Sequence, residues 1–135
     1  MSAGFVSRWA VLMRHEVAAE DLDPAGGLRR DVVERWASEA CDRYLEGCAA
    51  IGPRRVRGAV PAAAALGRPA LVVVSARATE VRPDAFTLSV RVRPIGGDEA
   101  RPLDLSFTVE PEAGRVTDEV RDGLIAIEHA ARHVN

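Results

Sequence analysis

The 135-residue chain holds 47% hydrophobic and 28% charged residues, the usage of an ordinary globular domain, which excludes a low-complexity or disordered polymer. All 18 basic residues are arginine, yet 20 acids bring the net charge to -2, so no overall positive field draws the chain to a nucleic-acid backbone. No run approaches the roughly 18 apolar residues of a membrane span, and the apolar stretch from Trp9 to Met13 is shorter than a secretory core of about 7 to 15 residues. We therefore expect one domain over residues 1–135, cytoplasmic, with no membrane and no nucleic-acid partner.

Trp9, Val11, Met13, His15 and Val17 alternate with Ala10, Leu12, Arg14 and Glu16, which predicts a strand from about Trp9 to Val17. An acidic turn follows, Asp21-Leu22-Asp23-Pro24-Ala25-Gly26-Gly27. Pro24 fixes its own φ and the two glycines relax steric limits, so the loop holds Asp23 ahead of a helix whose first N–H groups lack intrahelical partners. A carboxylate in that position suits chemistry on a carbonyl. Asp31 and Glu34 read as a capping pair, and the helix should run to about Ala50 before Gly52-Pro53 stops it. Its apolar stripe is Val33, Trp36, Ala37, Ala40, Cys41, Tyr44 and Cys48, at three- and four-residue steps.

A short strand is expected from Val56 to Val60, then an alanine-rich connection ending in Gly67 and Pro69. Three longer strands come next, from Leu71 to Val81, from Phe86 to Val92 and from Leu103 to Val109, the last two strictly alternating. Their connections, Arg82-Pro83-Asp84 and Gly96-Gly97-Asp98-Glu99, are too short for a parallel crossover and predict an antiparallel meander. A final helix from about Thr117 to His133 has acids in its first turn and Arg132 and His133 in its last, matching the helix dipole. The order is that of an α+β domain with one sheet face laid against the long helix. The sheet has more valine and alanine than one helix covers, which implies a homo-oligomer.

Cys41 and Cys48 lie seven residues apart on the predicted helix, roughly 10 Å at 1.5 Å per residue, beyond the roughly 7 Å a disulfide spans. They read as buried free thiols. Two cysteines and three scattered histidines give no metal-ligand spacing, so no metal site is expected. The G-x-S-x-G elbow of serine hydrolases is absent from the sequence.

The segment Asp23-Pro24-Ala25-Gly26, followed by a helix ending Glu39-Ala40-Cys41-Asp42-Arg43-Tyr44-Leu45-Glu46, resembles the hot-dog thioesterases, in particular the 4-hydroxybenzoyl-coenzyme A thioesterase group. Gly67 before a long strand and Ala85-Phe86-Thr87-Leu88 opening the next fit the same pattern, and the likeness runs from about Val11 to Leu124. It implies an antiparallel five-stranded sheet wrapped around a long central helix, with a C-terminal helix. It also implies hydrolysis of an acyl-coenzyme A or acyl-carrier-protein thioester in a homodimer or homotetramer with sites between subunits, using no metal or redox cofactor. Asp23 matches the family's loop carboxylate, as nucleophile or general base, with the backbone N–H groups near Arg30 and Asp31 stabilising the oxyanion. A second branch uses a glutamate on the central helix, and Glu39 falls at about that place.

Arg54, Arg55 and Arg57 form the densest basic cluster, and their guanidinium forks suit the phosphates of coenzyme A. Many members follow the loop glycine with histidine and asparagine or with aromatic residues, where this chain has Gly27-Leu28-Arg29-Arg30. An acyl-coenzyme A-binding or interaction subunit without catalysis is therefore the alternative reading. A dehydratase or hydratase ranks third, since no histidine is placed with an acid in the pattern that such enzymes show.

Overall fold

The computed structural model of the protein describes residues 9–60, 69–96 and 101–134. The expected alanine-rich connection with Gly67 (residues 61–68), the turn residues Gly97, Asp98 and Glu99, and the side chains of Arg132 and His133 lie outside that description. In chain order the elements are β1 (Ala10–Glu16), α1 (Arg30–Glu46), β2 (Arg54–Gly58), β3 (Leu71–Val81), β4 (Phe86–Ile95), β5 (Leu103–Pro111) and α2 (Asp118–Val134).

The five strands form one antiparallel sheet in the order β1-β3-β4-β5-β2. The meander read from the short turns is its centre, and β1 and β2 are added at opposite edges. Period-two alternation decides the faces. Val72, Val74, Ala76 and Ala78 of β3, Phe86, Leu88, Val90 and Val92 of β4, and Leu105, Phe107 and Val109 of β5 all enter one core with α1. The opposite face carries Ser75, Arg77, Ser89, Arg91, Arg93, Asp104 and Ser106, the alternate residues of the same strands. α2 joins the core side through Val120 and Leu124, and its Gly123 sits where a Cβ would come within 2.7 Å of the Cys48 sulfur.

α1 presents Val33, Ala37, Ala40, Cys41, Tyr44 and Leu45 to the sheet, all at or below 3% exposure. Ala37 and Ala40 keep the helix close to the strands, and Trp36 fills the space towards β1. Each fully buried valine or leucine contributes roughly 1.5–3 kcal/mol through loss of water contact. The expected fold class is the observed one. No helix among the described residues is long and apolar enough to cross a membrane.

Three boundaries differ from the sequence reading, each for a local reason. Asp31 is not the N-cap of α1. That position belongs to Arg29, held extended by its N–H donating to the Asp21 carbonyl at 2.9 Å, while Asp31 grips the Arg29 guanidinium at 2.6 Å. The helix ends at Glu46 rather than near Ala50, because a separate 3-10 turn, Ala49–Ile51, carries Ile51 inward. The second strand runs Arg54–Gly58, two residues earlier than expected, and Val60 leaves the sheet to enter the core. The C-terminal helix begins as expected, with Thr117 accepting the Val120 N–H at 3.3 Å as its cap.

Tyr44 ties α1 to an irregularity in the sheet. The pairing of β3 with β4 shifts register between Ala78 and Glu80, and the Ala78 N–H there donates to the Tyr44 hydroxyl at 3.3 Å. Burial pushes the Tyr44 phenol up to about 12. A phenol whose folded value lies above its unfolded one near 10 stabilises the protein fully below about pH 10 and progressively less as pH rises towards 12. We therefore expect wild-type stability to fall by on the order of 2–3 kcal/mol between pH 10 and 12, with Tyr44→Phe falling less. At pH 7 Tyr44→Phe should cost about 1–3 kcal/mol by leaving the Ala78 N–H unpaired. Urea unfolding at both pH values checks this, and equal alkaline losses in the two proteins would contradict it.

Candidate active site

The acidic turn folds as a small closed loop. Leu22 and Leu28 pair across its base, and Leu28 is buried in the core. At the tip the Asp23 N–H donates to the Gly27 carbonyl at 2.7 Å, and the Gly26 N–H donates to the Asp23 carbonyl at 2.9 Å. Gly26 takes φ +88°, a conformation that L side chains rarely adopt and glycine reaches freely. The Asp23 carboxylate is exposed, with Oδ1 accepting the Gly27 N–H at 2.9 Å. Its Oδ2 makes no hydrogen bond among the described residues. Asp23 thus both braces its own loop and offers an oriented carboxylate oxygen to solvent. Asp21 has a purely local part, its Oδ2 accepting the Ala18 N–H at 2.9 Å.

Beyond the loop, α1 starts at Arg30, so the N–H groups of Arg30 and Asp31 lie in the first turn, where intrahelical acceptors are missing and the dipole favours negative charge. That first turn borders a cleft of about 420 Å³ between α1 and the β2 edge. Arg30, Glu34, Ser38 and Asp42 form its polar wall, spaced at four-residue steps along α1. Val56, Val60 and Phe107 form the apolar wall. Gly58 belongs to the same wall because a Cβ there would collide with the Phe107 ring and come within 2.8 Å of the Ser106 carbonyl. Glu34 is half-exposed and lies 3.3 Å from Arg30.

Glu39 stands elsewhere. Nine residues past Arg30, it is roughly 13 Å along the helix at 1.5 Å per residue, and on the flank that faces β1. There its carboxylate comes within 4.0 Å of His15 Nε2, and the His15 ring stacks on Trp36 with centroids 5.1 Å apart. Sequence alone did not bring His15 to Glu39. The fold does, at an enclosed position where Nε2 has no hydrogen-bond partner.

The arginine cluster divides between the two faces of β2. Arg54 turns towards α1, 3.8 Å from Asp42, and also donates to the Gly52 carbonyl. Arg57 pairs with Glu110 of β5 at 2.7 Å. Arg54 and Arg55 border a second hollow of about 390 Å³ with Glu110, Pro111 and Glu112. These arginines therefore do not converge on one point. The residues that sequence reasoning passed over are Ser38 and Glu34 as cleft lining, and their four-residue spacing with Arg30 and Asp42 was the available signal. No group of three or more His, Cys, Asp or Glu side chains able to hold a metal occurs among the described residues.

No protein-family model matches the sequence, and no curated protein does. Solved structures do match in shape. The chain is similar to a thioesterase from Thermus thermophilus solved with coenzyme A and Zn, at 20% identity over 87% of this chain and 92% of that one, with TM-score 0.62. It is also similar to a hypothetical protein from Thermus thermophilus, at 18% identity over 87% and 99% of the two chains, with TM-score 0.54. A gentisyl-coenzyme A thioesterase matches at 15% identity over 84% and 98%, with TM-score 0.51. The shared architecture is the hot-dog fold, a five-stranded antiparallel sheet with a long helix on its inner face.

Cys41, in the cleft, is buried, and burial reinforced by the Asp42 charge pushes its thiol up to about 12. Burial likewise raises Cys48, whose sulfur donates to the Val120 carbonyl at 3.4 Å. Thiols raised by burial in this way are poor nucleophiles at neutral pH. Titration of native protein with a chromogenic disulfide at pH 8 should register neither thiol promptly, and both after unfolding. A fast-reacting native thiol would contradict this assignment.

Proposed function

We propose that this protein hydrolyses acyl-coenzyme A or acyl-carrier-protein thioesters in the cleft beside the first turn of α1. The observation that carries the reading is a cleft that starts at the first turn of α1 and joins carboxylates to an apolar wall, within a fold shared with a thioesterase solved with coenzyme A. The acyl chain lies along Val56, Val60 and Phe107, and the thioester carbonyl oxygen points to the N–H groups of Arg30 and Asp31. Oxyanion stabilisation by such donors is the largest single contribution in most acyl transfers. Asp23 supplies the carboxylate. It either takes a proton from the attacking water or attacks the carbonyl carbon itself to give a mixed anhydride that water then opens. In both routes the C–S bond breaks, the thiol leaves with a proton and the acid is released.

Glu34 gives a second reading of the same chemistry, because it lines the cleft directly whereas Asp23 stands on the preceding loop. Glu39, on the β1 flank, is the weaker helix carboxylate. Arg54 and Arg55, beside the second hollow, are the cations offered to the phosphates of coenzyme A. Hydrolysis by this route requires no redox cofactor. Two buried free thiols suit the reducing cytoplasm.

A homodimer or homotetramer completes the reading. β2 is a sheet edge with all five residues exposed, and such an edge invites another strand. A second copy laid along it also roofs the cleft, placing the site between subunits.

The test is release of free thiol across a panel of acyl-coenzyme A substrates. Asp23→Asn should lower turnover about 10²- to 10⁴-fold with the fold intact, and Glu39→Gln should leave it unchanged. Loss in Glu34→Gln with Asp23→Asn fully active moves the carboxylate role to Glu34. Full activity in both overturns the mechanism, and tight acyl-coenzyme A binding without turnover selects the non-catalytic alternative. Light scattering should give the mass of two or four chains of 14.5 kDa, and a monomer would remove the shared site.

A further inference from the structure

The two edges of the sheet are built differently. β2 pairs with β5 residue for residue from Arg54 to Gly58 with no register shift, and its whole length is exposed. Its arginines 54 and 57 are neutralised within the chain, by Asp42 and Glu110 respectively. A regular edge of that kind accepts another strand. β1, at the opposite edge, is interrupted. Its pairing with β3 shifts register between Val11 and Met13, which leaves Leu12 as an extra residue with no counterpart in β3.

The backbone of a bulged residue needs hydrogen-bond partners from outside the ladder, and α1 supplies one. Arg43, exposed on the β1 flank of the helix, donates from Nη1 to the Leu12 carbonyl at 3.2 Å. One turn earlier Glu39 stands 4.0 Å from His15, so the same flank of α1 follows β1 along its length. On the outer side Val11, Arg14 and Glu16 lie opposite Ser75, Val73 and Leu71, and all three are exposed. A bulge, charged side chains and cover from a neighbouring element each keep an edge strand from pairing with another chain. β1 combines them, and Arg43 supplies the cover at the bulge itself.

We propose that the hydrogen bond from Arg43 to Leu12 guards the β1 edge against a second copy of this chain, leaving β2 as the edge open to strand pairing. The consequence is closure. Two copies joined through like edges about a two-fold axis keep their other edges facing outward, and pairing there as well would continue the sheet from copy to copy as an open filament. With β1 shut, edge-to-edge growth stops after β2 has paired. The guard extends the β2 pairing proposed above and is tested apart from it, because its loss adds an association step to whatever state the wild type has.

Arg43→Met removes the donor at an exposed position and keeps an unbranched side chain. Light scattering from micromolar to near-millimolar concentration should show Arg43→Met rising in mass with concentration, to about twice the wild-type mass or more, with native circular dichroism retained. Adding Val11→Lys puts a further charge on the exposed side of β1 and should restore the wild-type mass. A monomeric wild type removes the β2 pairing but not the guard, which then shows as dimers of Arg43→Met. The proposal is overturned if Arg43→Met keeps the wild-type mass at every concentration, if the added mass survives Val11→Lys, or if it comes with loss of the native circular dichroism signal.

Discussion

Everything about the candidate site follows from the seating of α1 on the inner face of the sheet. Ala37 and Ala40, both fully buried, bring the helix axis close to the strands. Val33, Tyr44 and Leu45 then fix its rotation, because turning the helix would expose large apolar side chains at roughly 1.5–3 kcal/mol each. That rotation sorts the polar residues of α1 into two flanks. Glu39 and Arg43 look towards β1, where Arg43 donates to the Leu12 carbonyl. Arg30, Glu34, Ser38 and Asp42 look towards β2 and make the cleft wall. A carboxylate's place in the chemistry is thus decided by hydrophobic packing on the opposite side of the helix.

The loop before α1 shows how one residue holds a structural and a chemical position together. Hydrogen bonds from Asp23 to the backbone of its own turn are what a polar residue in a tight turn ordinarily makes. Here the same bonds leave Oδ2 oriented rather than free to rotate. A group already positioned adds more to a reaction than one that must be ordered first. Leu28, buried directly behind the turn, anchors that geometry to the core.

Much of this was legible in the sequence. Phe86, Leu88, Val90 and Val92, and again Leu103, Leu105, Phe107 and Val109, have a strict two-residue period and short turns between them, and the meander followed directly. The stripe from Val33 to Tyr44 likewise identified the buried side of the helix. Less legible were features set by distant contacts. The Asp21 carbonyl makes Arg29 the N-cap, although Asp31 has the better side chain for it. The short β2 is recognisable by its pairing with β5, since its own residues are all exposed and carry no alternation. Glu34 and Glu39 look alike in sequence and separate only once β1 and β2 occupy opposite edges of the sheet.

The most direct test of the account is a crystal structure with a non-hydrolysable thioether or ketone analogue of an acyl-coenzyme A. The carbonyl oxygen should lie about 2.7–3.1 Å from the backbone nitrogens opening α1, with the acyl group against Val56, Val60 and Phe107. An analogue seated along β1 beside His15 and Glu39, or on the outer face of the sheet, would contradict the placement of the chemistry in the α1–β2 cleft.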